Sequence, residues 1–344
     1  MNTEYLHRLA LYARAGMCIV RSRFLTGRPF FISHLITTRC FARCPYCLWR
    51  GETPEEADTG KIIDFYRRAR RLGFVSTTFW GGEPLLRDDI FDIAAACRKL
   101  GFVTGLITNG YLLPHYAGPL ARDLYFLIVS LDIPGPEHDV LRGVPGLFEN
   151  ISSGIRRVQQ ENPRLKVFIN SVISRCNHEY VEQLIGFAET HSLTITFESV
   201  NAGPAEFPRS ESRDIGDWRL SPPDEMNVFG SIRKLKRAHP AINNSHSYLR
   251  LFESGQVRYR CHAPRISIRI EPDGAVTNCR DRDHPLGNVY TGNLEDILSS
   301  PRFREVQRNA ETCSACVDTG VIESSLFWEF NREVMVNSAK LFLR

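Results

Sequence analysis

Cys40, Cys44 and Cys47 fall in one short run, Cys40-Phe41-Ala42-Arg43-Cys44-Pro45-Tyr46-Cys47. Three thiolates this close can hold three irons of a [4Fe–4S] cluster, which otherwise takes four cysteines. The fourth iron then stays open, and an open position separates a catalytic metal site from a closed structural one. A single zinc would need a fourth protein ligand, for which His34 is the nearest candidate. The run directly follows the apolar stretch 30–36, as a loop follows a strand.

A second constellation lies near the C-terminal end. Cys261 is followed by twelve residues, Gly274, four residues and Cys279, and then by Cys313-Ser314-Ala315-Cys316. Asp273-Gly274 has the turn chemistry of a hairpin with strands over 265–271 and 275–279. Four thiolates there suit a closed [4Fe–4S] cluster and a structural zinc site equally well.

The elements that must position these residues alternate. The pattern predicts strands over 31–37, 74–80, 102–108, 124–130, 166–173 and 193–200, with helical stretches such as 60–72, 88–100, 147–161 and 177–191 between them. Repeated βα units argue for a parallel sheet with right-handed crossovers. The cysteine run, Gly81-Gly82-Glu83-Pro84, Asn109 and Ser130 all fall at or just after strand ends, on one rim. Before the first strand, Tyr5, Leu6, Leu9, Tyr12, Ala13, Gly16, Met17 and Val20 repeat at helical spacing behind Thr3 as N-cap. Arg8, Arg14, Arg21, Arg23 and Arg28 face a single acid, Glu4. Such a helix either packs on the fold that follows or lies on a membrane surface. The prolines and glycines of 201–225 mark a connector or a loop beside the rim.

The 344 residues carry a net charge of +4, too mild to mark nucleic-acid binding. No apolar run reaches the roughly 20 residues of a membrane-spanning helix. No secretory signal pattern opens the chain. Cys-x-x-Cys spacing in a chain this long favours metal in a reducing cytosol over a disulfide framework.

In its ordered motifs the chain resembles the radical S-adenosylmethionine (radical SAM) superfamily. These are the cysteine triplet with aromatic Tyr46 before Cys47, Gly81-Gly82-Glu83-Pro84, Thr108-Asn109-Gly110, Ser130-Leu131-Asp132 and His138-Asp139-Val140-Leu141-Arg142-Gly143. The resemblance covers about 31–200 and implies a partial (β/α)6 TIM-like barrel. It implies S-adenosylmethionine on the open iron of a [4Fe–4S] radical cluster held by Cys40, Cys44 and Cys47. Reductive cleavage to a 5′-deoxyadenosyl radical and hydrogen abstraction from a substrate follow. Glu83 would accept from the amino group of S-adenosylmethionine, with Gly81 and Gly82 allowing close backbone approach. Ser130 and Asn109 would bond its ribose or carboxylate, and Arg142 would pair the carboxylate. The electron would come from a flavodoxin- or ferredoxin-type reductant.

Cys261 through Cys279 also resembles the opening of the auxiliary-cluster domain of SPASM and twitch radical SAM enzymes. Four cysteines are fewer than a full SPASM domain uses. The resemblance therefore implies the shorter twitch form, with one auxiliary [4Fe–4S] cluster on Cys261, Cys279, Cys313 and Cys316. That cluster could accept an electron from the substrate. Cys97 reads as a small core hydrophobe, and Cys18 and Cys176 have no assigned role. The expected divisions are a lead-in helix over 1–30, the barrel over 31–200, a connector and helix over 201–255, a hairpin-plus-helix cluster domain over 256–320, and a C-terminal helix over 321–344.

Oxidation of a small molecule is the first reading of the substrate. Few residues before the barrel count against a peptide. The tail after Cys313 loosely resembles hopanoid-modifying relatives but has Thr319 where they have a cysteine. With the apolar face Leu326, Phe327, Phe330, Val334, Leu341 and Phe342, this keeps a lipid in view. Glu198 and His246 are further candidates for substrate contact. An iron–sulfur electron carrier or a zinc scaffold would be the non-enzymatic readings, and neither accounts for Gly81-Gly82-Glu83-Pro84 beside the open triplet.

Overall fold

The computed structural model describes residues 3–49, 55–201, 218–278, 284–314 and 316–343; of 3–9 and 339–343 it describes the backbone. The expected loop over 201–225 therefore lies largely outside the described residues, as does Cys279.

Each strand of the barrel is followed by a helix that covers it. The order is α1 (Thr3–Arg21), β1 (Phe31–Thr37), α2 (Thr59–Arg71), β2 (Ser76–Gly81), α3 (Ile90–Lys99), β3 (Val103–Thr108), α4 (Leu113–Asp123), β4 (Phe126–Ser130), α5 (Glu137–Arg142), α6 (Leu147–Glu161), β5 (Lys166–Ile173), α7 (Val181–Thr190) and β6 (Thr194–Ser199). After it come α8 (Pro222–Leu235), α9 (His246–Glu253), α10 (Ala263–Ile266), β7 (Ser267–Ile270), β8 (Ala275–Thr277), β9 (Gly287–Asn288), α11 (Leu294–Ser299), α12 (Pro301–Ala310), α13 (Thr319–Trp328) and α14 (Arg332–Leu343).

The strands form one sheet in the order β6-β5-β4-β3-β2-β1-β7-β8-β9. All pairs from β6 to β7 are parallel, while β8 and β9 run antiparallel. This is a partial TIM-like barrel followed by an auxiliary hairpin unit. The hairpin turns at Asp273-Gly274, where Gly274 takes φ 88°. Its first strand also extends the barrel sheet, with Phe31 to His34 of β1 paired to Ser267 to Ile270 of β7. The expected strand over 265–271 is shorter because Arg265 and Ile266 belong to α10.

Strand alternation sorts the two faces. His34 and Phe79, paired across β1 and β2, both pack on Tyr66 of α2. That phase faces the helices and is dry: Ile32, Phe79, Leu106, Leu127, Ile169 and Phe197 are buried. The alternate phase lines the inside of the curved sheet, where Trp80 Nε1 donates to Ser33 Oγ at 2.8 Å. Gly105 sits on this inner face because Phe126 needs its space. A Cβ at Gly105 would meet the Phe126 ring at 2.0 Å.

α2 shows the local logic of the helical layer. Asp58 caps it by accepting from the Lys61 amide, Ile62, Phe65, Tyr66 and Ala69 face the sheet, and Arg68, Arg70 and Arg71 sit in its last turn, where cations complement the helix dipole. α1 packs differently. Leu11 meets Val103, which opens β3, and Tyr125, just before β4, so the helix lies at the N-terminal end of the strands. The expected C-terminal helix is two helices, α13 and α14, broken where Phe330 takes φ 60°. α13 starts beside Phe197 at the end of β6 and finishes with Trp328 stacked on Phe30 at the entry to β1. It thus runs from the C-terminal end of β6 to the N-terminal end of β1.

Candidate active site

The cysteine loop leaves β1 at its C-terminal end and is fixed from three sides. The first is the glycine pair after β2. Gly82 N donates to Thr37 O and Glu83 N to Arg39 O, both at 2.7 Å. A Cβ on Gly81 would lie 2.1 Å from Thr37 O, and one on Gly82 2.2 Å from Arg39 O. The close approach expected for a ligand is therefore made to the backbone of the cysteine loop itself. The need for glycine is steric at both positions, and Gly81 adds φ 140°.

The second side is Tyr46. Its hydroxyl donates to Asp132 Oδ2, and Arg142 donates to the same oxygen from Nε at 2.8 Å and from its terminal nitrogen at 2.6 Å. Asp132 Oδ1 accepts from Val172 N at 2.9 Å. Asp132 is fully buried and Arg142 nearly so. Burial alone would raise the Asp132 pKa; the Arg142 guanidinium and then His138 hold it below the ordinary carboxylate value. The same burial pushes the Tyr46 phenol well up, with the Asp132 charge adding to it. Arg142 is thus paired with Asp132 through Nε and one terminal nitrogen. Its backbone carbonyl also accepts from Arg43 N at 2.7 Å, closing the loop onto α5.

The third side is a network that sequence reading missed. Arg87 is buried and donates to Asp89, to Glu56 Oε2 at 3.2 Å, and to the carbonyls of Ile36 and Ala57. Glu56 also accepts from Thr37 Oγ1 and from Arg39. These contacts tie the return from the cysteine loop to its start. The available signal was an arginine placed directly after the apolar Pro84-Leu85-Leu86.

Glu83 is fully buried and already engaged. Oε1 accepts from Thr108 Oγ1 at 2.8 Å and Leu85 N at 3.1 Å, and Oε2 accepts from Asn109 N at 2.7 Å. A carboxylate offers about four acceptor positions, so one remains. Burial raises its pKa to about 7 against these three donors. Asn109 turns its amide to the thiols, with Nδ2 4.0 Å from Cys40 Sγ. Ser130 closes β4 on the inner face, opposite Asn170.

The thiols themselves suit a cluster. Burial raises Cys40 to about 11, and the charges of Glu83, Cys44 and Cys47 add to that. Burial raises Cys44 too, opposed by the Arg142 charge. A cluster binds thiolates, so loading this site would release their protons. Among the described residues no three His, Cys, Asp or Glu side chains gather around a point that suits one metal ion. A cube assigns each thiolate to its own iron and does not ask for that. His34 is no fourth ligand. It is fully buried on the helix-facing side, with Nδ1 2.9 Å from Tyr66 Oη and Nε2 3.2 Å from Tyr290 Oη. Burial, and then the Arg87 charge, push it down to about 3.

Cys261, Cys313 and Cys316 come together around Tyr259. Burial raises the Tyr259 phenol, and the three thiol charges raise it further. Its hydroxyl donates to Cys316 O at 3.2 Å. The segment after Cys316 reaches the barrel interior: Thr319 N donates to Glu198 Oε2 at 3.3 Å. Glu198 Oε1 accepts from Asn170 Nδ2 at 2.9 Å, and Asn170 Oδ1 accepts from Thr196 Oγ1 at 2.8 Å. Burial and the Asp318 carboxylate raise Glu198 to about 7. His246 lies apart, in the first turn of α9, where its backbone N–H donates to Glu333 at 2.6 Å. Cys97 is core, Cys176 is exposed and Cys18 is half-buried on α1.

Residues 35–188 match the radical SAM superfamily and residues 261–317 match the SPASM iron–sulfur cluster-binding domain. Solved structures share the fold. His-tagged anSMEcpe with bound AdoMet is 14% identical over 92% of this chain and 98% of that one, with a TM-score of 0.67. Streptococcus suis SuiB bound to S-adenosylmethionine is 18% identical over 86% and 72%, with a TM-score of 0.64. The same protein bound to its precursor peptide SuiA is 16% identical over 94% and 78%, with a TM-score of 0.65. The donor set of the first loop, its bracing by Gly81, Gly82, Tyr46 and Arg87, and the second thiol group after the barrel agree with both matched stretches: residues 35–188 are a radical SAM domain and residues 261–317 a SPASM-type iron–sulfur domain.

Proposed function

We propose that this protein oxidises a polar small molecule held on the inner barrel face between the two thiol groups. Cys40, Cys44 and Cys47 would hold the radical cluster, and Cys261, Cys279, Cys313 and Cys316 one auxiliary [4Fe–4S] cluster. When bound, the first supplies reductive cleavage of S-adenosylmethionine and the second a sink for one electron. Asn109 faces the first thiol group, and Gly81, Gly82 and Tyr46 keep that loop from shifting. Asn170, Thr196 and Glu198 present hydrogen-bonding groups to the interior.

The observation that carries the reading is the Thr319–Glu198 hydrogen bond. It places the Cys316 segment at the same inner face, at the C-terminal end of β6. A substrate hydroxyl or amine bonded to Glu198 would then lie between hydrogen-abstracting and electron-accepting groups. A peptide is the second reading, supported by the likeness to SuiB bound to SuiA.

Two variants test this. Anaerobic protein with S-adenosylmethionine and a strong reductant should form 5′-deoxyadenosine, and Cys40→Ala should abolish it. Cys313→Ala should keep that cleavage and lose about four irons per chain. Zinc in place of those irons would remove the electron-acceptor reading.

A further inference from the structure

α1 has two faces, and only one is covered. Leu11 and Tyr12 pack at the N-terminal end of β3 and β4. On the other side Ala13, Gly16, Met17 and Val20 follow one another at helical spacing and are exposed, Met17 by 67% and Val20 by 57%. The π-helical turn Ser22–Thr26 prolongs this stripe with Phe24 at 61% and Leu25 at 79% exposure. Phe24 stacks on Phe330, itself exposed, at 5.9 Å, and Met335 and Val336 of α14 are exposed as well. The two ends of the chain thus make one apolar face.

Arginines line it. Arg21 is exposed beside the stripe, and so is Arg14, whose guanidinium lies near Gly101 and Arg70 at the edge of the covered side. Arg23 is held over Phe24, Trp328 and Phe330, with ring centroids 5.5, 5.4 and 5.3 Å away. The nearby acids are occupied: Glu329 lies 3.1 Å from His262 Nε2, and Glu333 accepts from His246 N and Ser247 N. We infer that this face seats the protein on an anionic lipid bilayer, with Met17, Val20, Phe24 and Leu25 entering the interface and Arg14, Arg21 and Arg23 meeting the headgroups. An amphipathic helix with arginines beside its apolar stripe binds in that manner. A two-fold pairing with a second copy would bring the same arginines against each other. The face lies at the end of the strands opposite the cysteine loop, so the barrel mouth is left facing water. The inference does not depend on the reaction proposed above.

The test is sedimentation of the full chain with vesicles of phosphatidylcholine alone and of an equal mixture with phosphatidylglycerol. The protein should follow the mixed vesicles and be released by high salt. Phe24→Asp with Leu25→Asp should weaken partition by at least about tenfold. Arg14→Gln and Arg21→Gln should each weaken it by about fivefold. All of these positions are exposed and far from the thiols, so 5′-deoxyadenosine formation should be unchanged and reports that the variants are folded. Absence of sedimentation, or equal binding to both vesicles, would overturn the inference. A dimer in analytical ultracentrifugation that Phe24→Asp with Leu25→Asp dissociates, without vesicle binding, would assign the face to a second copy instead.

Discussion

The Tyr46 hydroxyl donates to the Asp132 carboxylate, joining the aromatic residue of the cysteine loop to the turn after β4. Both groups are buried, and Arg142 completes the set. Tyr46→Phe removes a hydrogen bond to a charged acceptor and should cost about 1.5–3 kcal/mol. Asp132→Asn leaves the Arg142 guanidinium buried without its counter-charge and should cost about 3–5 kcal/mol. Urea unfolding of the two variants checks the order. Iron retained after anaerobic reconstitution should fall in the same sequence, and full iron in Asp132→Asn would show that the loop does not need this brace.

Asp132 also sets an acid limit. Its folded pKa lies below the ordinary value, so its stabilising contribution is present above about pH 4 and is lost as pH falls through the lower, folded value. Wild-type stability followed downward from pH 5 should drop more steeply than that of Asp132→Asn.

Glu83 behaves in the opposite sense. Its folded pKa of about 7 lies above the ordinary value of 4.5, so the folded chain binds more protons between those values. Stability from this group is fully present below about pH 4.5 and declines as pH rises to about 7, by about 3 kcal/mol across the window. Glu83→Gln should flatten that slope. It should also lower stability by about 1–3 kcal/mol, because one amide end now turns a donor toward the Asn109 N–H or the Leu85 N–H. Unfolding midpoints measured at half-unit pH steps on the metal-free protein distinguish the two effects.

Gly82→Ala tests the contact between the glycine pair and the cysteine loop. The added methyl would sit 2.2 Å from Arg39 O, a backbone atom that cannot swing away. Overpacking of this kind costs about 1–3 kcal/mol. The strain falls on the loop that carries Cys40, so about four irons per chain should be lost while those of the second thiol group remain. Iron and sulfide analysis of Gly82→Ala against Gly186→Ala, where the added Cβ meets nothing within 4 Å, provides the comparison.

Arg87→Met should be more damaging than its place outside the cysteine motif suggests. It strips Glu56 and Asp89 of a buried cation and leaves the carbonyls of Ile36 and Ala57 without that donor. A loss of about 3–5 kcal/mol is expected in thermal or urea unfolding. A change under about 0.5 kcal/mol would mean that water replaces the guanidinium.

Much of this was legible in the chain. The βα repeat gave six strands within about two residues of their observed bounds, because alternation between buried and inward-facing positions is written in residues such as Ile169, Asn170, Phe197 and Glu198. The cysteine triplet and the glycine pair were legible as neighbours on one rim. Their division of labour was not. The strand pattern puts Glu83 near the thiols and the resemblance puts Arg142 there, but only three-dimensional packing shows that Glu83 is engaged by Thr108, Asn109 and Leu85, and that Arg142 pairs with Asp132. For Arg87 and Glu56 the one local mark, an arginine directly after Pro84-Leu85-Leu86, does not name the partners, which come from separate strands and loops. The break at Phe330 was hidden because helical periodicity runs on through it from Leu326 to Val334.

The parallel pairing of β1 with β7 has a consequence for how the chain is made. Phe31 to His34 leave the ribosome early, but their neighbours on one side, Ser267 to Ile270, follow more than two hundred residues later. Until then β1 is an open edge with unpaired backbone groups, which invites pairing with other chains. A chain cut before β7 would keep that edge permanently. The auxiliary hairpin is therefore also the seal of the barrel's first strand, and a barrel expressed without it should aggregate rather than fold as an independent half.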